Sequence, residues 1–182
     1  MKVLLRSVSL AALVLLASCG QQQQADSGKA AADQLAANKA AATKLFNAGW
    51  NDGNFALLEE MIPADALDHS TIPGKSPEKG AESFKSIIGM FRAAIPDIHL
   101  TIDDEFGEGD KVVHRWTLKG THTGTPLFGV PPSGKVLQFS GTTIVRLANG
   151  KVAERWSNVD EMALARQLGL VPPPPGPPPA GK

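Results

Sequence analysis

Apolar residues recur with a helical period in the first half of the chain and alternate with polar ones in the second. Phe84, Ile87, Ile88, Phe91 and Ile95 fall at i, i+3, i+4, i+7 and i+11. That spacing predicts an amphipathic helix, entered at Ser76-Pro77 and stopped by Pro96. Before it, Phe55, Leu57, Leu58, Met61 and Ile62 mark a short helix that Pro63 ends. Leu35, Leu45 and Phe46 punctuate an alanine-rich helical segment running to about Gly49.

From Ile98 the period falls to two: Ile98, Leu100 and Ile102 alternate with His99, Thr101 and Asp103, and Gly107-Glu108-Gly109-Asp110 reads as a turn. Further strands are predicted over Lys111 to Gly120, Val136 to Leu147 and Lys151 to Asn158. Asn149-Gly150 supplies a two-residue hairpin turn between the last two. The result is a four-stranded meander. A closing helix follows over Asp160 to Leu168, with Asp160 as its N-cap residue and Gly169 just past its end. Helices first and antiparallel strands after them predict an α+β domain in which a curved antiparallel sheet wraps the N-terminal helices. Where the concave face is not filled, a pocket with apolar walls and a few polar groups remains.

The ends of the chain have a different character. Lys2 and Arg6 precede an apolar stretch, Ser9 to Ala17, that is too short to span a bilayer and reads as a secretory signal. Leu16-Ala17-Ser18-Cys19 resembles the lipobox of bacterial lipoproteins, which implies a signal peptide over 1–18 and acylation of Cys19, the one cysteine in the chain. Acyl chains contribute about 0.8 kcal/mol per buried methylene, so lipid alone would hold the protein to a membrane. The expected location is therefore the cell envelope, lipid-anchored and facing the periplasm or the cell exterior. Residues 19–33 then form a tether with almost nothing large or apolar to bury. Residues 34–171 are long enough for one domain. Residues 172–182 hold seven of the fourteen prolines and form at most a polyproline-like tail.

Lysine plus arginine equal aspartate plus glutamate at 18 each, and losing Lys2 and Arg6 with the signal tips this slightly to the acidic side. That balance argues against a nucleic-acid partner and leaves membrane contact to the lipid. A single cysteine excludes an internal disulfide and a cysteine metal cluster. His99 beside Asp97 lacks a third ligand, so no metal is expected.

Four segments carry a family resemblance: FRAAIPD at 91–97, GDKVVHRWTLKGTHTG at 109–124, GVPPSGK at 129–135, and 146–169 with its spaced Glu154, Trp156, Asp160 and closing QLG. Taken together, they make the chain similar to the SnoaL-like polyketide cyclases, or ester cyclases, of the wider nuclear transport factor 2-like group. The resemblance implies a cone-shaped α+β barrel, often a homodimer, that uses no metal or organic cofactor. It also implies a small apolar carbonyl-bearing substrate, cyclised by aldol-type or related proton-transfer chemistry. The family's catalytic carboxylate corresponds to Asp160. The alternative is a non-catalytic envelope lipoprotein that binds a hydrophobic small molecule or a partner protein.

If the last strand is regular, Val152, Glu154, Trp156, Asn158 and Asp160 share one face and Trp156 stands with Asp160 at the pocket. A carboxyl half-buried against an indole has a raised pKa and suits general acid–base work, whereas a helix cap asks of Asp160 only an exposed oxygen. His122, at a strand end, and His69, in a loop, are the histidines placed to reach a ligand, and Phe128 beside Pro131-Pro132 is a candidate loop over the open end. Arg115 and Arg146 could stabilise an enolate or pair across the sheet, the pair being the more economical. His114 shares parity with Trp116 and Leu118 and is expected to be packed; Trp50, Phe139 and Trp156 are expected in the core or the pocket floor. The absence of tyrosine disfavours a ketosteroid-isomerase-type oxyanion hole, and no Asp-Arg-Asp set of the epoxide-hydrolase kind is evident.

Overall fold

The computed structural model describes residues 6–69 and 78–172. The first residues of the expected signal, the expected Ser76-Pro77 helix start and the proline-rich stretch beyond Pro172 lie outside them. Helix α1 spans Arg6–Phe46. It therefore runs straight through the stretch expected to be a tether, because alanine and glutamine are good helix formers and no proline interrupts. Every side chain from Gln23 to Gln34 is nonetheless exposed. Packing begins at the partly buried Leu35, beside Gly107, and is completed where Asn38, Ala42, Leu45 and Phe46 bring one buried stripe round to the sheet.

A π-helical segment, Asn47–Asp52, continues α1 past the expected end and stops at Gly53, which is left-handed at φ 65°. Arg92 donates to the carbonyls of Trp50 and Asn51, at 2.5 and 3.1 Å, taking up acceptors that the segment's end leaves over. Asn51 binds both the N–H and the carbonyl of Leu100 through its side chain, at 2.8 and 3.0 Å, and so fastens the segment to the sheet edge. Helix α2, Phe55–Met61, is capped by Asn54, whose carboxamide oxygen accepts the Leu57 N–H. Helix α3, Ala81–Ala94, carries the stripe read from the sequence and buries Phe84, Ile88 and Phe91. Its first residue lies several positions after Ser76-Pro77.

The meander is present as predicted, with strands β3 (His99–Glu108), β4 (Lys111–Thr121), β5 (Val136–Ala148) and β6 (Lys151–Val159). Two further strands of two residues each, β1 (Leu67–Asp68) and β2 (Glu78–Lys79), were not legible. The sheet order is β2-β1-β6-β5-β4-β3, antiparallel except where β1 runs parallel to β6. Helix α4, Glu161–Leu168, closes the domain, with Asp160 as N-cap and Gly169 at φ 78°. Among the described residues no helix is long and apolar enough to cross a membrane.

One face of the sheet is the core face. Val112, His114, Trp116 and Leu118 of β4, and Leu137, Phe139, Thr143 and Val145 of β5, all point to it and are buried. β6 joins this pattern through a bulge. Arg146 pairs with Glu154 but Leu147 pairs with Val152, so Ala153 is an extra residue. Beyond it the parity inverts: Arg155, Ser157 and Val159 face inward, and Glu154 and Trp156 face out.

Candidate active site

Between the concave face of the sheet and the helices lies a cavity of about 280 Å³. Phe46 and Trp50 wall it from α1 and the π segment, Phe91 from α3, and Trp116 and Phe139 from the sheet. Phe128 closes one side, and Leu164 and Leu168 of α4 cover the end. The rings brace one another: Phe91 lies 5.6 Å from Phe139 and 5.9 Å from Trp50, and Trp116 meets Phe139 edge-on at 6.3 Å. Gly141 makes this possible, because a Cβ there would stand 2.3 Å from the Trp116 ring.

Four polar residues interrupt the apolar lining: Thr143, Arg155, Ser157 and Glu161. The Trp116 indole N–H donates to the Thr143 hydroxyl at 3.0 Å, and the Thr143 and Ser157 hydroxyls are 2.8 Å apart. Arg155 is 5 % exposed and grips Asp68 with two nitrogens, Nε at 3.0 Å and Nη2 at 2.7 Å. Ser83 donates a short hydrogen bond to the same carboxylate, and the guanidinium lies 3.9 Å over the Phe84 ring. A buried charge is thus matched in place, which explains the short strand β1: its task is to deliver Asp68.

Of the sequence candidates, Phe128 does line the cavity. It sits on the rim, half-exposed, with φ at 49°, an uncommon conformation for a bulky side chain, and meets Phe91 edge-on at 6.0 Å. Asp160 does not line it. Its side chain is exposed, and Oδ1 accepts the Ala163 N–H at 2.9 Å as the cap of α4, while its chain neighbours Val159 and Glu161 do reach the cavity.

Trp156 is on the opposite face, because the Ala153 bulge breaks the regular parity on which its placement beside Asp160 depended. There it stacks on His69, with ring centres 4.9 Å apart, and Lys111 lies 5.8 Å from it. His69 is on that face too, its Nε2 2.9 Å from Glu154, because Asp68 takes the inward position on β1. Hydrogen bonds from Arg146, the larger contributor, and from His69 hold the Glu154 carboxyl below its ordinary range.

His122 is fully buried but faces its own loop: Nε2 donates to the Thr125 carbonyl at 3.2 Å, and its backbone carbonyl accepts the N–H groups of Ser133 and Gly134. It organises the loop rather than the cavity. Arg115 is exposed and paired with Asp104 at 2.6 Å and Asp103 at 3.1 Å, and Arg146 pairs with Glu154 at 2.7 Å, so both arginines make the sheet ion pairs. His114 is packed against the edge of Phe46 at 4.7 Å with Nε2 on Glu105 at 2.9 Å. Among the described residues no group of three His, Cys, Asp or Glu could hold a metal.

Sequence reasoning missed Arg155, Ser157, Thr143 and Glu161. The alternation of β5 could have found Thr143, which shares its parity with Phe139 and Val145. A bulge with no glycine to mark it hid Arg155 and Ser157.

A helix-backed curved sheet enclosing an aromatic-walled chamber, with a few hydroxyls and one matched charge pair, defines a small-molecule-binding α+β domain. The model of the SnoaL-like polyketide cyclases matches residues 40–168, and the chain belongs to that family. It is 31% identical over 130 residues to the aklanonic acid methyl ester cyclase DnrD of Streptomyces peucetius, covering 68% of this chain and 83% of that one. Among solved structures it is similar to IdmH of Streptomyces antibioticus, a candidate polyketide cyclase, with 27% identity, TM-score 0.63, and coverage of 72% of this chain and 98% of that one. It is also similar to AclR of Streptomyces galilaeus, a candidate hydroxylase, with 25% identity, TM-score 0.68, and coverage of 78% and 87%.

Proposed function

We propose that this protein takes a small, apolar, carbonyl-bearing organic molecule into the aromatic cavity and catalyses cyclase-type proton transfer on it. The observation that carries the reading is the cavity itself, apolar on nearly every side and polar along one strip of sheet. Such a site desolvates a carbon skeleton and presents hydrogen-bond donors to its oxygens. The relative DnrD is by name a cyclase of aklanonic acid methyl ester, an ester and so a carbonyl-bearing molecule.

In this reading Asp160 is the general acid–base. Its carboxylate leaves the α4 cap and turns to the mouth between Val159 and Glu161, giving up a cap that contributes about 1 kcal/mol. Exchange of α-protons for deuterium in a bound aryl ketone, followed by NMR, tests it. The wild type is expected to catalyse exchange, Asp160→Asn to lose at least about a hundredfold, and Glu161→Gln to lose little. Equal rates for wild type and Asp160→Asn reject the role.

A second reading, a binding protein without catalysis, is favoured by one observation: the Asp160 carboxylate is exposed and engaged on Ala163. Ketone binding without any exchange by the wild type would select it.

For location we propose the cell envelope, with Cys19 acylated and the domain facing away from the membrane, on the strength of the Leu16-Ala17-Ser18-Cys19 run. Labelling cells with an alkyne-tagged fatty acid is expected to mark the wild type and not Cys19→Ser, which should leave the membrane fraction. Label retained on Cys19→Ser would contradict the anchor.

A further inference from the structure

Arg155 has work left over. The nitrogens it spends on Asp68 are Nε and Nη2, and among the described residues Nη1 has no acceptor, while the residue itself lines the cavity and is 95 % buried, as its 5 % exposure implies. A guanidinium carries its donors in a rigid plane, so fixing two nitrogens on Asp68 also fixes the direction of the third. Two residues along β6, on the same face, Ser157 ends a hydrogen-bonded row that starts at the Trp116 indole and passes through Thr143. The indole can only donate, so Thr143 receives it and can pass its own hydrogen to Ser157, whose hydrogen is then left for the cavity. One strip of one strand thus holds the donors, and apart from Thr143 and Glu161 the rest of the chamber is ring and aliphatic surface.

We propose that Arg155 and Ser157 are the specificity-determining pair of the cavity, reading an oxygen of a neutral ketone or ester and rejecting a carboxylate. The inference deepens the proposed function and rests on its cavity-binding part, independently of whether Asp160 catalyses anything. Neutrality follows from charge balance. Asp68 already occupies two nitrogens of Arg155, and Glu161 stands at the lining, so a ligand carboxylate would bring a further negative charge beside these two carboxylates in an apolar chamber. A neutral carbonyl oxygen instead accepts from a charged donor without adding charge, and the same contact strengthens as that oxygen becomes an enolate.

The test uses the full chain and three probes of one shape, 2-acetylnaphthalene, 2-ethylnaphthalene and 2-naphthoate, titrated by calorimetry, with the carbonyl stretch of the bound ketone read by infrared spectroscopy. The expected result is ketone binding about tenfold tighter than hydrocarbon, carboxylate weakest, and a carbonyl stretch lowered from its value in hydrocarbon solvent. Ser157→Ala should reduce the ketone preference and leave hydrocarbon affinity unchanged. Arg155→Lys, which keeps a cation for Asp68 but removes the planar fork, should abolish most of the preference. Thermal melting of both variants checks that they fold, and the infrared shift in the wild type stands without either. Hydrocarbon and ketone bound equally, with an unshifted stretch, would overturn the donor strip while leaving the cavity reading intact. Tightest binding of the naphthoate would overturn the neutrality, and failure of all three to bind would overturn both the strip and the cavity reading.

Discussion

Gly141 sets how deep the cavity is. It faces inward on β5 directly opposite Trp116 on β4, and the indole lies across its backbone. A methyl group there would meet Cζ2 at 2.3 Å and the Asn158 carbonyl oxygen at 2.7 Å. The carbonyl belongs to the neighbouring strand and cannot retreat, so the indole must, out of its rotamer and into the chamber. Gly141→Ala is therefore expected to cost about 1–3 kcal/mol in urea-induced unfolding, the usual penalty for overpacking a filled core, and to weaken binding of apolar probes. An unfolding midpoint equal to that of the wild type would mean that the indole does not occupy this position. The same scale explains Asp160, a residue on which the sequence supported two roles. The carboxylate of an aspartate suits both a helix N-cap and a general base, and it is the fold that sets its Oδ1 on the Ala163 N–H.

At the level of elements, the regular parts were readable because each has a period and a stop. The stripe on α3, the alternation of β3 to β5, the Asn149-Gly150 turn and the Asp160/Gly169 caps of α4 all appear within a residue or two of where the pattern put them. What escaped was irregular. The extra residue Ala153 is an ordinary small side chain inside a β-rich run, so nothing in composition marks it, yet it reverses every later side chain on β6. Trp156 and Glu154 go to the outer face and Arg155 and Ser157 to the cavity, so β6 lines the chamber with side chains other than those its regular alternation presents. The strand pair β1 and β2 escaped for a different reason: two residues carry no period, and they exist because Asp68 must meet Arg155 across 87 positions of sequence. The exposed half of α1 was legible in its polarity and not in its conformation, since propensity alone favours helix where no packing decides.

Across the whole molecule, acid should loosen the fold in two stages. Burial lowers the affinity of His114 for a proton below its ordinary 6.5, and the opposing hydrogen bond to Glu105 does not restore it. The folded state therefore holds the ring neutral, Nε2–H on Glu105 and Nδ1 buried without a partner, while the unfolded chain protonates at the ordinary value. A group whose folded pKa is depressed contributes stability that is complete above its unfolded pKa and is lost as the pH falls through the folded one. The carboxylates have the same sign lower down. Burial alone would raise Glu105, but the Thr43 and His114 hydrogen bonds and the charge of Lys39 leave it lowered. Arg146 and then His69 lower Glu154, and the Thr121 backbone and hydroxyl lower Asp97. Their contributions are complete above the ordinary carboxylate values of 4.5, 4.5 and 3.8 and disappear below them. Urea midpoints are thus expected to fall modestly as the pH drops through and below the ordinary histidine value of 6.5 and more steeply below about pH 4.5. His114→Gln, which keeps a donor for Glu105 but cannot titrate, should flatten the first stage and leave the second. A first-stage decline of the same size in that variant would move its origin away from His114 and toward groups outside the interface of α1 with the sheet.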